Sequence, residues 1–255
     1  MGEPEKTQEP VNTQVIKERL DAIKGARMKM WLEMCAHCGL CAESCFFYLA
    51  HDRDPAYMPS HKIISTLGQM YKKKGEVSRE FLEQTREIVW GKCTVCRRCT
   101  MYCPFGIDMA TMFAATRGIC NTQGCHPENL QKAVENYWAE GNQMAMSKDD
   151  WIETCTWMES ETGEEIVGLE IPMDKEGANV MYTVNAREPM FYPQDVGMAA
   201  TIFHIAGEDW TMTSEGWDDT NLAMFAGDAK CMAHVTKLTY DAAIRLKAKQ
   251  IAITE

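Results

Sequence analysis

One cysteine pattern occurs twice in this sequence and constrains the fold more than any other feature. Each copy has the spacing C-x2-C-x2-C-x3-C, and the second copy is followed by Pro104. The members are Cys35, Cys38, Cys41 and Cys45 in the first run, and Cys93, Cys96, Cys99 and Cys103 in the second run. This spacing with its trailing proline is typical of bacterial ferredoxins that hold two [4Fe–4S] clusters. Because two copies in the same register are far beyond coincidence, the pattern predicts two such clusters.

The spacing also predicts which cysteines bind each cluster. The first three cysteines of a run wrap one face of a cubane cluster, whereas the fourth is too constrained to reach it and crosses to the other cluster. The predicted ligands are Cys35, Cys38, Cys41 and Cys103 for cluster 1, and Cys93, Cys96, Cys99 and Cys45 for cluster 2. The alternative is structural zinc, which uses two pairs of ligands separated by a spacer and fits two tight quartets poorly.

The segment between the two runs indicates the kind of cluster module. It has 47 residues between Cys45 and Cys93, enough for two helices, and apolar residues at helical spacing occupy residues 60–90. This favours a helical ferredoxin-type module, like those inside larger respiratory enzymes, that acts as an electron relay. Cations flank the second run at Lys92, Arg97 and Arg98. They would raise a cluster's potential by offsetting its negative charge, and the alternative is that they are solvated surface cations.

Length, charge and cysteine content exclude several classes of protein. The chain has 255 residues, 12 of them cysteine, and a net charge of −11 with a pI near 5.1. A chain this long buries a sizeable core and does not need disulfide bonds to fold. Its cysteines therefore indicate metal or redox chemistry in a reducing compartment. The acidic balance argues against a general nucleic-acid binder. Residues 1–30 lack the apolar stretch of about 7–15 residues of a secretory signal, and no run of about 18 apolar residues occurs. We therefore expect a cytoplasmic chain without a transmembrane segment.

The second half of the sequence differs in character from the first. Its apolar patterns predict, in order, strands over 164–173 and 179–185, a helix over 193–207, a strand over 209–214, a helix over 231–249 and a strand over 250–254. Alternating strands and helices are typical of a parallel α/β sheet. We therefore predict an α+β multidomain fold with a polar tail over 1–10. Its segments are an N-terminal tail and helix (1–24), a helical ferredoxin domain (25–118), a helical connector (119–162) and a partial α/β domain (163–255).

The sequence assigns no role to the cysteines outside the two runs, which are Cys120, Cys125, Cys155 and Cys231. Cys120 and Cys125 form a C-x4-C pair, but they lack a fourth ligand in sequence, so buried core positions are favoured over a third metal site. Asp218 lies in an acidic segment after a predicted strand end, where parallel sheets usually build ligand sites. A solvated acidic loop is favoured there over a cation site. No glycine-rich phosphate motif indicates a nucleotide cofactor.

Several stretches together resemble one known family. They are the two cysteine runs, TRGICNTQGCHPENL (116–130), GEDWTMTSEGWDDTN (207–221) and FAGD (225–228). Over about residues 25–255 the chain resembles the HdrD-type heterodisulfide reductase family, and most of all the DsrK subunits of DsrMKJOP membrane complexes in sulfur-metabolising prokaryotes. The resemblance implies a cytoplasmic electron-transfer subunit held at the inner face of the membrane by partner subunits. It would relay electrons between a quinone-linked, DsrM-like heme b subunit and a disulfide or trisulfide of a DsrC-like sulfur-carrier protein in dissimilatory sulfur metabolism.

The resemblance also implies what this sequence lacks. Members of the family hold a noncubane [4Fe–4S] cluster on a Cys-Cys-Gly (CCG) motif in a catalytic α/β domain, and no Cys-Cys-Gly occurs here. We therefore expect the front part of such a protein, with both electron-transfer clusters and a partial CCG-type domain. The catalytic residues are unknown, and we expect the chain alone to transfer electrons only. The alternative is a ferredoxin-like electron-transfer subunit of another oxidoreductase, of the fumarate reductase or glycolate oxidase type.

Overall fold

Helices form most of the chain that the computed structural model describes, which is residues 10–23 and 25–254. The polar tail predicted for residues 1–10 lies outside this range except for Pro10. The chain divides into two compact units. Unit 1 extends to Pro127 and also includes Phe225–Gly227, and unit 2 contains Glu128–Met224 and continues from Asp228. The finer division into four segments stays a prediction.

The helices of unit 1 are mostly short. They are α1 Thr13–Ile23, α2 Ala26–Glu33, α3 Leu40–Glu43, α4 Phe46–Ala50, α5 Pro59–Ser65, α6 Leu67–Lys72, α7 Arg79–Arg86, α8 Arg98–Met101 and α9 Met109–Asn121. A 3-10 turn over Pro55–Tyr57 precedes α5, and a π-helical turn over Glu87–Gly91 follows α7. The helices predicted within residues 60–90 are therefore confirmed.

Helix α9 is the central element of unit 1. It begins where the Asp108 carboxylate accepts the Thr111 N–H at 3.1 Å, a typical N-cap. Apolar residues at helical spacing bury Met112 and Phe113, and α9 packs against α1, α5, α6, α7 and α8. The two cysteine runs lie before and after α4–α7, so this packing holds them in one folded unit.

Unit 2 combines helices with a small sheet. Its helices are α10 Glu128–Glu140, α11 Lys148–Gly163, α12 Arg187–Phe191, α13 Gln194–Ala206, α14 Leu222–Ala226, whose last two residues belong to unit 1, and α15 Ala229–Arg245. Its strands are β1 Val180–Tyr182, β2 Trp210–Thr211 and β3 Gln250–Ala252. All strand pairs are parallel, as the alternation of strands and helices predicts. The strand order is β2-β1-β3. No helix within the described ranges is long and apolar enough to cross a membrane.

The strand predicted for residues 164–173 is wrong. Residues 164–168 form turns and a bend after α11, residues 169–172 have no regular secondary structure, and Met173 makes an isolated bridge to Met212. The chain turns at Gly168, whose φ is +80°, a conformation that glycine adopts without strain. The Ile171 N–H then donates to the Glu159 carboxylate at 2.6 Å instead of to a neighbouring strand. The apolar residues of this segment therefore did not suffice for a strand, because apart from the isolated bridge at Met173 no described strand pairs with its backbone groups.

Candidate metal centre

The two cysteine runs fold into the same local backbone shape. The second and fourth residues after the first cysteine are left-handed in both copies: His37 (φ 54°) and Gly39 (φ 83°), then Val95 (φ 57°) and Arg97 (φ 64°). A left-handed conformation is uncommon for residues other than glycine, and for β-branched valine it is strained. Strain of this kind concentrates at functional sites.

Each loop leads into a single helical turn that reverses the chain. Gly39 caps α3 and Arg97 caps α8, and the two short helices pack against each other. The next cysteine closes each turn, since the Cys45 N–H donates to Ala42 O at 2.9 Å and the Cys103 N–H donates to Thr100 O at 3.3 Å. The fourth cysteine is thereby turned away from its own loop.

Two cavities lie beside these loops, and each combines cysteines from both runs. The lining of cavity A includes Cys35, Cys38, Cys41 and Cys103. The lining of cavity B includes Cys93, Cys96, Cys99 and Cys45. The structure therefore brings the eight cysteines of the runs together in the two sets that the spacing predicts. Their role as ligands belongs to the proposed function.

Each cavity contains at least one thiol that is a poor anion by itself, Cys41 in cavity A and Cys99 in cavity B. Burial raises the pKa of Cys41, and the neighbouring Cys35 and Cys103 raise it further, although the N–H and hydroxyl of Ser60 donate to its sulfur and oppose the shift. Burial raises the pKa of Cys99 to about 12, with added repulsion from Cys93 and Cys41. Such thiols bind metal only as thiolates, which need a bound cation to form at neutral pH. This donor set fits a positively charged iron–sulfide core.

The spacing of the donors is wider than at a mononuclear site. Among residues 10–23 and 25–254, no three His, Cys, Asp or Glu side chains lie close enough together to hold a single metal ion. A cubane cluster distributes its four thiolates over four separate irons.

The cations that the sequence singled out lie at the surface or at the cavity rim. The Arg97 side chain is 64% exposed and pairs with Asp108 at 3.2 Å. The Lys92 ammonium lies 4.7 Å from the Tyr57 ring centroid. The sequence interpretation did not identify two buried cations near the site. They are Lys62 and Arg117, which are 1% and 2% exposed. Arg117 had a recognisable pattern, a single charge within the apolar sequence of α9, whereas nothing around Lys62 distinguished it from a surface lysine.

The other four cysteines are buried, as predicted: Cys120, Cys125, Cys155 and Cys231. The Cys125 thiol donates to the Glu83 carboxylate at 3.2 Å and accepts from the Arg79 guanidinium at 3.0 Å. Burial raises the pKa of Cys231 to about 11, so its thiol stays protonated at neutral pH. We therefore describe these residues as parts of the packed interior.

The prediction that Asp218 lies in a solvated acidic loop is wrong. The side chain is only 1% exposed. Its carboxylate accepts the backbone N–H groups of Gln143 at 2.8 Å, Thr220 at 3.0 Å and Ala186 at 3.3 Å. These donors come from three separate loops of unit 2. Asp218 therefore connects the loops of this unit from inside instead of facing solvent.

The burial of Asp218 predicts a pH-dependent stability. Burial raises its pKa to about 7 despite the three N–H donors. Because the folded pKa is above the unfolded value of about 3.9, this group's stabilisation is complete below about pH 4 and is lost as the pH rises to about 7. We expect the free energy of unfolding to fall by at most about 1.4 kcal/mol per pH unit in this window. Urea unfolding at pH 5, 6 and 7 measures it.

Two substitutions isolate this effect. Asp218→Asn removes the ionisable group and should flatten the decline between pH 5 and 7. Glu215→Gln is the control, because Lys148 lowers the pKa of Glu215, which therefore titrates below this window. An identical pH profile for Asp218→Asn and the unchanged chain would show that Asp218 does not titrate here.

Comparisons with known proteins agree with this geometry in part. Residues 31–107 match the family model described as a 4Fe-4S dicluster domain. The Hdr-like menaquinol oxidoreductase iron-sulfur subunit 2 of Archaeoglobus fulgidus is 25% identical over 146 residues, 52% of this chain and 26% of that protein. The Hdr-like menaquinol oxidoreductase iron-sulfur subunit of Archaeoglobus profundus is 26% identical over 180 residues, 65% of this chain and 32% of that protein. No solved structure matches.

The match spans about a quarter to a third of the length of these two relatives. The dicluster model covers both cysteine runs and the helices between them. The chain is therefore similar to Hdr-like iron–sulfur subunits, and the comparisons support an electron-transfer subunit that carries [4Fe–4S] clusters.

Proposed function

We propose that this chain is an electron-transfer subunit in which two [4Fe–4S] clusters occupy cavities A and B. Cluster 1 is held by Cys35, Cys38, Cys41 and Cys103, and cluster 2 by Cys93, Cys96, Cys99 and Cys45. One observation carries the proposal: each cavity is lined by three cysteines of one run and the fourth of the other. This is the exchange that two-cluster ferredoxins use. When bound, each cluster supplies a one-electron redox centre.

The chain's own residues position the clusters and set their access to solvent. Cys38 and Cys96 are exposed, whereas the other six cysteines of the runs are at least partly buried. Each cluster is therefore closest to solvent at the second cysteine of its run, which gives a partner a place to deliver or remove an electron. Cys41 of cavity A and Cys45 of cavity B both raise the pKa of Cys99, so the two sets are close neighbours. A short path between the clusters suits a relay.

The proposed assembly extends what the relatives' names state. Those proteins are called Hdr-like menaquinol oxidoreductase subunits. By analogy, we propose that this chain relays electrons between a quinone-linked, DsrM-like heme b subunit and a disulfide or trisulfide of a DsrC-like sulfur-carrier protein in dissimilatory sulfur metabolism. It would lie at the cytoplasmic face of the membrane, bound through partner subunits.

The α/β unit makes no bond-cleaving contribution in this proposal. The parallel sheet of unit 2 supports its comparison with a partial CCG-type domain. The sequence has no Cys-Cys-Gly, and Cys155 and Cys231 are buried. A noncubane cluster therefore has no motif in this chain. The chain by itself transfers electrons, and we expect it to show no disulfide-cleaving activity with an artificial electron donor.

Metal analysis tests the proposal. Anaerobically purified chain should contain about eight irons and about eight acid-labile sulfides, as two cubanes require. Reduction with dithionite should give an EPR signal broadened by coupling between two nearby clusters. Cys231→Ala should keep the full iron content, because this cysteine lies outside both cavities. Stoichiometric zinc without iron would overturn the proposal, and clearly more than eight irons would show a third site.

A further inference from the structure

Among the described residues of unit 1, Lys62 and Arg117 are buried cations next to the second cysteine run. Lys62 lines that cavity together with Phe47 and Phe113, beside the cysteines. The Arg117 guanidinium donates to the Cys93 carbonyl at 2.6 Å and to the Val89 carbonyl at 2.8 Å. Both cations therefore lie within the structure that supports the second cysteine run.

Carbonyl oxygens and aromatic rings, not carboxylates, surround both cations. The Lys62 ammonium donates to the Lys92 carbonyl at 2.6 Å and faces the rings of Phe113 and Phe47 at 5.5 and 6.0 Å. Arg117 bonds to carbonyl oxygens and stacks 5.5 Å from the Trp90 ring centroid. Within the part of the chain that the structure describes, no ion pair links either residue to Asp or Glu. A buried charge is costly unless an opposite charge lies nearby.

The residues around these cations that would carry negative charge are the cysteines of a bound cluster. Lys62 lines cavity B together with Cys45, Cys93, Cys96 and Cys99, and Arg117 binds the backbone of Cys93. Cavity A differs, because its described lining includes no lysine or arginine. Its polar contacts to Cys41 come from the neutral Ser60. The two otherwise similar sites are therefore electrostatically unequal.

We propose that Lys62, supported by Arg117, stabilises the reduced state of the cluster in cavity B. This cluster then has the higher reduction potential of the two, so a single electron resides mainly on it. The inference rests on the proposed function. Adding an electron makes a thiolate-bound cluster more negative, and a fixed positive charge in a low-dielectric interior favours that state. One electron then passes from the reduced cluster 1 to the oxidised cluster 2, and no bond forms or breaks. Lys62 acts on the cluster through its positive charge and is not a ligand of the cluster.

An EPR-monitored redox titration of the full chain tests this inference. Lys62→Gln removes the charge and keeps an amide that can donate to the Lys92 carbonyl. We expect its cavity B potential to become more negative by about a tenfold change in the equilibrium constant, or about 59 mV for one electron. The potential of cluster 1 should stay unchanged. A Cys96→Ser substitution identifies the signal of cavity B, because it alters a ligand of that cluster alone.

Two controls separate charge from packing. Lys62→Arg keeps the positive charge and should keep the potential. Arg98→Gln removes an exposed cation that lines the same cavity and should change the potential much less, because solvent screens it. If Lys62→Gln loses its iron, Lys62→Met provides a second neutral variant for the same titration.

The possible failures are distinguishable. Iron absent from the unchanged chain would overturn the proposed function itself. About eight irons in Lys62→Gln with both potentials unchanged would overturn only the role of Lys62. If cluster 1 has the higher reduction potential in the chain without substitutions, the inference that the electron resides on cluster 2 is overturned.

Discussion

Replacing Cys45 by alanine is expected to remove the cluster of cavity B and to leave the cluster of cavity A. Cys45 belongs to the first run in sequence, but it lines the cavity formed by the second run. A cubane with only three thiolates exposes one iron and is readily lost, so the iron content should fall by about half, from about eight to about four per chain. Iron and sulfide analysis of anaerobically purified protein measures this change.

Spectroscopy shows which cluster is lost. The reduced EPR spectrum of Cys45→Ala should match that of Cys96→Ala, which removes a ligand of cavity B. The spectrum of Cys103→Ala should match that of Cys38→Ala, which removes a ligand of cavity A. A Cys45→Ala spectrum like that of Cys38→Ala would mean that each run binds its own cluster. Cys155→Ala is the matched control, since this cysteine is buried and lines neither cavity.

Gly227→Ala is expected to destabilise unit 1 strongly. A Cβ at this position would lie 2.6 to 2.8 Å from backbone atoms of Arg117 and Gly118 in α9, and the residue has a φ of +79°. Backbone atoms within a helix cannot move aside as a flexible side chain does. The left-handed conformation costs about 1–2 kcal/mol and the overpacking about 1–3 kcal/mol, so we expect a loss of about 2–5 kcal/mol in the free energy of unfolding.

Hydrogen bonds link the segment around Gly227 to residues next to the second cysteine run. We therefore expect the destabilisation by Gly227→Ala to affect this run as well. The Trp90 indole N–H donates to the Phe225 carbonyl at 2.7 Å, and the Asn121 amide donates to the Ala226 carbonyl at 3.2 Å. Arg117, which also holds the Cys93 carbonyl, donates to the Phe225 carbonyl at 3.3 Å. Displacing the segment would therefore disturb the support of cavity B as well as the helix.

Denaturant unfolding with a control at Gly124 tests this expectation. Gly124 also has a positive φ, +66°, but no atom lies within 4 Å of the position its Cβ would take. Gly124→Ala should therefore show only the conformational cost, about 1–2 kcal/mol. Equal losses for Gly124→Ala and Gly227→Ala would mean that the close approach at Gly227 has no energetic consequence. Iron content measured on the same samples reports on cavity B.

The fold was predictable where the sequence pattern is local. The helices between the runs follow from apolar residues at helical spacing, and β1, β2 and β3 lie within predicted strands. Residues 164–173 have a similarly apolar composition but form turns and irregular structure, because Gly168 bends the chain and Glu159 takes the Ile171 N–H. A strand needs a partner for its backbone groups, and composition does not supply one.

The sequence by itself determined the chemistry of the candidate site. The spacing of the two runs specifies the donor type and the loop length, and both can be inferred from the order of residues along the chain without knowing the fold. The left-handed conformations of His37 and Val95 are visible only in the structure.

Only the tertiary structure decided the environment of that site. Lys62 is buried at cavity B and Arg117 is buried against the backbone of Cys93. Asp218 accepts N–H groups from three loops, and Arg97, which the sequence suggested would raise a cluster's potential, is exposed. Burial and charge balance depend on segments far apart in sequence, such as α5, α9 and the chain around Lys92. Cysteine spacing therefore indicates what the site binds, whereas long-range packing determines the charges around it, since electrostatic energies depend on distance and desolvation in three dimensions.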